Sequence, residues 1–196
     1  MRIVGGLLLF LLTVSAPAAA EGQIKPFLGM TFGGGTNLLG DLDHAVGKRK
    51  TAVGISTVVL GEVVGFELDL GRTPAFFQSG GKLVLSGSMT TLTGNVVVAL
   101  PRRMSEYTLR PYLVGGGGLM HTRTTSFGSL FELSGNDATI DVGAGVTGYV
   151  TPNVGVSWDV RHFRTVQGKT GKSTTIDSGA EKISFWRAYM ALAIRY

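Results

Sequence analysis

Beyond residue 20 the chain alternates apolar and polar positions with a period of two, the repeat of a strand whose two faces meet different surroundings. The alternation predicts eight strands, near residues 24–33, 51–60, 63–71, 88–100, 110–122, 138–150, 154–163 and 183–196. The third is the clearest. Val64, Phe66, Leu68 and Leu70 share one face, and Gly65, Glu67, Asp69 and Gly71 the other. The sixth sets Ile140, Val142, Ala144 and Val146 against Asp141, Gly143, Gly145 and Thr147; the seventh sets Val156, Trp158 and Val160 against Ser157, Asp159 and Arg161. The eighth sets Trp186, Ala188, Met190, Leu192, Ile194 and Tyr196 against Arg187, Tyr189 and Arg195. No window sustains a 3.6-residue period, so the chain is read as all-β.

Connector lengths follow a rhythm of their own. Residues 34–50, 72–87, 123–137 and 164–182 are long, polar and glycine-containing, whereas Gly61-Glu62 and Thr151-Pro152-Asn153 are minimal turns. Alternating long and short links are those of an up-and-down barrel in an outer membrane, with short periplasmic turns and longer outer loops. The link 101–109 is longer than that pattern prefers.

A soluble lipocalin-type barrel shares the period but keeps its apolar side inside. The polar faces distinguish the two. They hold mostly Gly, Ser, Thr and Ala with a few acids and arginines, and almost none of the Lys and Glu of a water-facing exterior. An eight-stranded interior is only wide enough to be filled by side chains, and small residues with a few ion pairs suit it. The expected architecture is an eight-stranded antiparallel up-and-down transmembrane β-barrel with its apolar face toward lipid.

Composition agrees. Charged residues are 16% of the 196, against roughly 25% in soluble domains. Hydrophobic residues make up 44% and mean hydropathy is +0.27, which excludes a disordered chain. With no cysteine, a disulfide framework, a thiolate nucleophile and cysteine-bound metal are excluded. Residues 1–20 read as a cleaved secretory signal: Arg2, the apolar stretch from Ile3 to Val14, then Ala18-Ala19-Ala20. Residues 21–196 then form one barrel domain, exported to the bacterial outer membrane.

Two further segments carry a resemblance. Arg110-Pro111-Tyr112-Leu113-Val114-Gly115-Gly116-Gly117-Gly118, and Val154-Gly155-Val156-Ser157-Trp158-Asp159-Val160-Arg161-His162-Phe163-Arg164, resemble the bacterial outer-membrane β-barrel domain family. That family holds small barrels similar to outer membrane protein A and the opacity-type proteins. The end of the chain is similar to the family's C-terminal assembly signal, apolar residues at alternate positions before a terminal aromatic: Met190, Leu192, Ile194 and Tyr196. The family usually ends in Phe, so Tyr196 is a mild departure. The resemblance implies location, fold and a barrel-assembly machinery as partner during insertion, and little about activity.

Catalytic motifs fare poorly. Gly143-Ala144-Gly145-Val146-Thr147-Gly148 satisfies G-x-G-x-x-G, but a dinucleotide site needs a helix there and the strand pattern runs on into Pro152. Gly168-Lys169-Thr170-Gly171-Lys172-Ser173 ends like a phosphate loop, yet Val166 stands where its first glycine belongs. His44, His121 and His162 show no metal-ligand spacing. Some eight-stranded barrels deacylate lipid A with a histidine followed two positions later by serine; after His162 that position is Arg164. No catalytic set, cofactor or metal is expected, and nothing beyond a pI near 9.7 suggests nucleic acid.

The informative cluster is the ionisable set on the polar faces: Glu67, Asp69, Asp141, Asp159, Arg161, Arg187 and Arg195. In a low-dielectric lumen unpaired charges are costly, so these are expected to pair as an ionic plug or, alternatively, as a rearranging gate. Trp158, Trp186, Phe66, Phe76, Phe77, Tyr112 and Tyr196 are expected as lipid-facing or girdle aromatics, with Phe76-Phe77 offering a partner-binding tip as the alternative. Lys48-Arg49-Lys50, Lys169, Lys172 and Lys182 lie in outer loops, near lipopolysaccharide phosphates, with Asp41, Asp43, Asp177 and Glu181 as partial offsets. Three functions follow in order: a non-enzymatic barrel with a structural or cell-surface interaction role, a narrow gated channel for small solutes, and a lipid A-modifying enzyme.

Overall fold

The structure, a computed structural model, describes residues 21–36, 49–76, 84–101, 104–105, 109–126, 132–166 and 183–196. The signal segment, His44, Phe77, the loop residues Lys48, Lys169, Lys172 and Lys182 and the loop acids fall outside them. Eight strands run in chain order: β1 (Glu21–Thr36), β2 (Lys50–Leu60), β3 (Val64–Thr73), β4 (Val84–Ala99), β5 (Leu109–Ser126), β6 (Glu132–Tyr149), β7 (Val154–Val166) and β8 (Ile183–Arg195). Each pairs antiparallel with its neighbour, and β1 pairs with β8, so the sheet closes as a barrel without a free edge.

The period-2 pattern sets the two faces of the wall. Along β3, Val64, Phe66, Leu68 and Leu70 are exposed while Gly65, Glu67, Asp69 and Gly71 are buried. Phe66 is 68% exposed, Val142 62% and Met190 55%; Asp69 and Arg161 are both 0%. Along the middle of the wall the apolar side chains therefore face outward and the charges inward, the inverse of a soluble fold.

Several strands outrun their predicted ends. β1, β5 and β6 each gain residues at the end with the long connections, where polar and glycine-rich sequence hides the alternation. The G-x-G-x-x-G segment lies within β6 and continues as strand through Tyr149.

The lumen is packed in layers. At the end with the short turns lie Glu21, Arg110 and Arg195, beside a cluster of Val58, Leu60, Val97, Ala99, Tyr112 and Val114. Charged groups occupy the middle. Toward the outer end, Phe76, Met89, Met120, Phe163, Ile183 and Phe185 form a buried apolar cluster. Two expectations are corrected here. Tyr112 is 6% exposed and Phe76 0%, so neither meets lipid. Tyr112 has inward parity, two residues beyond Arg110; Phe76 follows Ala75, whose φ of 57° turns the chain inward over the mouth.

Candidate functional site

The inward ionisable residues of the middle layer come from β1, β3, β6, β7 and β8, and the closed register brings them to one zone. Arg161 is its hub. Its Nε donates to Asp159 Oδ1 at 2.9 Å, its Nη2 to Glu67 Oε2 at 3.0 Å, and its Nη1 also bonds Glu67. Glu67 also accepts from Asn95 Nδ2 at 3.1 Å, while Tyr112 Oη donates to Asp159. Since β3 and β7 lie on opposite sides of the ring, the Arg161–Glu67 pair spans the lumen.

Arg187 makes a second brace. Its Nη2 donates to Asp69 Oδ1 at 2.5 Å and its Nη1 to Thr91 Oγ1 at 3.2 Å. Its guanidinium also lies 4.9 Å from the Phe27 ring centroid, 4.6 Å from Phe163 and 5.2 Å from Tyr189, so aromatic faces supply much of its surroundings. Two glycines admit these bulky groups. A Cβ at Gly71 would strike Arg187 Nη1, and one at Gly143 would lie 2.6 Å from Arg161 Cγ.

Asp141 sits apart. It is 4% exposed and lies 3.8 Å from Arg161, yet neither carboxylate oxygen accepts a hydrogen bond among the described residues. Lys25 is also buried, its Nζ 3.4 Å from Thr147 Oγ1 and 4.8 Å from the Tyr112 ring centroid. Sequence reasoning passed over Lys25, although its inward parity with Gln23 and Phe27 marked it.

Arg195 belongs to the periplasmic layer. With Tyr149 it bonds Glu21 Oε1, and its guanidinium carbon lies 3.8 Å from the Tyr149 ring centroid. Arg110, also unassigned from sequence, ties the turns together: its Nε donates to Leu100 O at 3.0 Å and its Nη2 to Glu62 O at 2.7 Å. Met190, Leu192 and Ile194 line the outward face of β8, and Tyr196, one residue past its end, is exposed. His162 faces outward with its ring 4.9 Å from that of Trp186, and His121 bonds Asn136 at 2.6 Å.

The chemistry on offer is electrostatic bracing. The contacts of His121 and His162 pair neither imidazole with a hydroxyl or a carboxylate, the partners a nucleophilic or general-base role requires.

Comparison with known proteins agrees with this architecture. The family model described as the outer membrane protein beta-barrel domain matches residues 6–182. Among curated proteins no sequence matches the chain. Neisserial surface protein A superposes with a TM-score of 0.65 at 12% identity, covering 90% of this chain and 97% of that one. OprG of Pseudomonas aeruginosa gives 0.55 at 12% identity, with 91% and 97% covered. The N-terminal barrel of OprF from the same organism gives 0.54 at 16% identity, with 90% and 97% covered. Likeness at these identities is likeness of fold. The chain belongs to the outer membrane protein β-barrel domain family, a transmembrane barrel of the bacterial outer membrane.

Proposed function

We propose that this protein is a non-enzymatic barrel with a structural or cell-surface interaction role, acting through its outer end and its wall rather than through its lumen. The filling of the lumen carries this reading. An ion entering from outside meets the apolar layer of Phe76, Met89, Met120, Phe163, Ile183 and Phe185 first. It then meets Arg187 held between aromatic rings, and below it Arg161 bonded to Glu67 and Asp159. Passage would require opening an apolar layer and separating buried ion pairs, each costing several kcal/mol.

The same reading takes Met190, Leu192, Ile194 and Tyr196 as the signal handed to the barrel-assembly machinery, supported by the outward face that the first three share on β8 and the exposure of Tyr196 just past its end. It takes residues 1–20 as removed on export, supported by Arg2, the apolar run and Ala18-Ala19-Ala20.

Planar-bilayer recording of the purified wild-type protein tests the proposal. The expected result is a silent membrane at physiological salt. Reproducible single-channel steps that shift on Glu67→Gln would replace this reading with the narrow gated channel. Lipid A mass spectra should be unchanged by overexpression, and an altered acyl pattern would restore the enzyme.

A further inference from the structure

Asn95 and Asp141 lie in one row of the ladder with only Gly116 of β5 between them: Asn95 pairs with Gly116, and Gly116 with Asp141. Both side chains are buried in the lumen. The Asn95 amide has a fixed sense. Its Nδ2 donates to Glu67 Oε1 at 3.1 Å and to Thr93 Oγ1 at 3.3 Å, which turns its Oδ1 the other way. That oxygen leans over Gly116 toward β6, for a Cβ at Gly116 would strike it. Neither Asn95 Oδ1 nor either Asp141 oxygen accepts a hydrogen bond among the described residues. Acceptors from two strands thus share the space over a residue without a side chain, a costly arrangement in a low-dielectric interior.

The layer also has a charge to place. Sharing it with Asp141 are Asp159 and Arg161 on β7, Arg187 and Tyr189 on β8, Glu67 and Asp69 on β3 and Lys25 on β1. Tyr112, the nearest inward ionisable side chain of β5, donates to Asp159. On β6 itself the next acid on the inward face is Asp137, four residues toward the outer end. With the tyrosines neutral, the four acids of the layer exceed its three bases by one. A water molecule at Asp141 would supply donors and leave the surplus charge in place. A metal cation would neutralise the charge but stand beside the Arg161 guanidinium, whose Nη1 is 3.8 Å from Asp141 Oδ2. A proton meets both needs.

We propose that Asp141 is a proton-binding site of the folded barrel, and that its neutral carboxyl donates a hydrogen bond to Asn95 Oδ1. The proton comes from the aqueous phase and stays on one Asp141 oxygen, leaving the other toward Arg161. The new bond closes a ring across the lumen, from Arg161 to Glu67, to Asn95, to Asp141 and back to Arg161. A proton held by the folded chain and not by the unfolded one makes stability grow as pH falls. Mild acid therefore tightens the plug, until stronger acid protonates Glu67 and Asp159 and releases Arg161. The inference goes beyond the proposed surface role and holds whichever partner the outer end meets.

Thermal unfolding of the mature barrel in detergent tests it, from about pH 8 to about pH 5, a window in which an aspartate of the unfolded chain stays ionised. The midpoint of Asp141→Asn should exceed that of wild type by a few degrees at the alkaline end, and the two should converge at the acid end. Infrared difference spectra of protein with isotope-labelled aspartate supply the second readout. A protonated-carboxyl band should grow in wild type on acidification, be missing from Asp141→Asn, and shift in frequency in Asn95→Ala, where its acceptor is gone. Midpoints that stay parallel across the window, with no carboxyl band, would overturn the proposal in favour of bound water. A wild-type midpoint that follows added sodium at fixed pH, and not pH itself, would overturn it in favour of a metal cation. Should Asp141→Asn fail to fold, wild type and Asn95→Ala decide alone: a band absent from wild type, or identical in both, contradicts the site.

Discussion

Arg161 of β7 and Arg187 of β8 stand directly opposite one another in the ladder, both pointing into the lumen and both buried. Like charges so placed repel. Two acids on β3 resolve the conflict, for Glu67 and Asp69 lie two residues apart on one face and each crosses the lumen to one arginine. The barrel is thereby cross-braced at adjacent levels.

Removing one brace should be costly. Arg161→Ala strands the Glu67 and Asp159 carboxylates in the interior, a loss of roughly 3–5 kcal/mol. We expect the thermal midpoint in detergent to fall by about 10 °C, at roughly 2–4 °C per kcal/mol for a chain of this size. An unchanged midpoint would show that the charges are solvated.

Asp141 should behave in the opposite sense. The middle layer sets Glu67, Asp69, Asp141 and Asp159 against Lys25, Arg161 and Arg187, one acid in excess. Asp141 is the acid with no hydrogen bond to either oxygen among the described residues. Asp141→Asn removes the surplus charge and should raise the midpoint by a few degrees, about 1–2 kcal/mol. A fall as large as that of Arg161→Ala would place Asp141 inside the brace.

Phe76 and Phe66 make a paired test of inside and outside. Phe76 is wholly buried, with its ring 5.3 Å from Phe185, so Phe76→Ala should cost roughly 3–5 kcal/mol. Phe66→Ala exchanges one lipid contact for another and should cost clearly less. Ala75→Gly should stabilise by about 1 kcal/mol, since the left-handed φ there burdens any residue with a Cβ. Equal losses at the two phenylalanines, measured by detergent unfolding, would contradict the layered lumen.

Fold and lipid-facing surface were legible because the alternation is strict where each face meets a uniform environment, as along β3 and β7. The outer apolar cluster was not, although simple extension of parity points to it: Phe163 follows Arg161 by two, and Phe185 and Ile183 precede Arg187 by two and four. Apolar residues on both faces near a strand end erase the contrast on which the period depends. Phe76 lay beyond parity altogether, since a turn rather than a strand delivers it. Arg123 and Arg164 were hidden differently: both fall at predicted loop edges, and only the longer strands β5 and β7 turn their side chains outward.

The natural chain has no cysteine, so a single introduced thiol reports its own surroundings. Ser56→Cys and Thr93→Cys replace wholly buried lumen residues with side chains of similar size, and Leu68→Cys lies on the outward face. With the barrel in liposomes, we predict that a charged, water-soluble thiol reagent leaves all three unmodified until the protein is heat-unfolded, and that a membrane-soluble maleimide labels Leu68→Cys alone. Rapid modification of the two lumen thiols by the charged reagent in the folded state would mean a water-filled interior and would contradict the sealed, braced barrel.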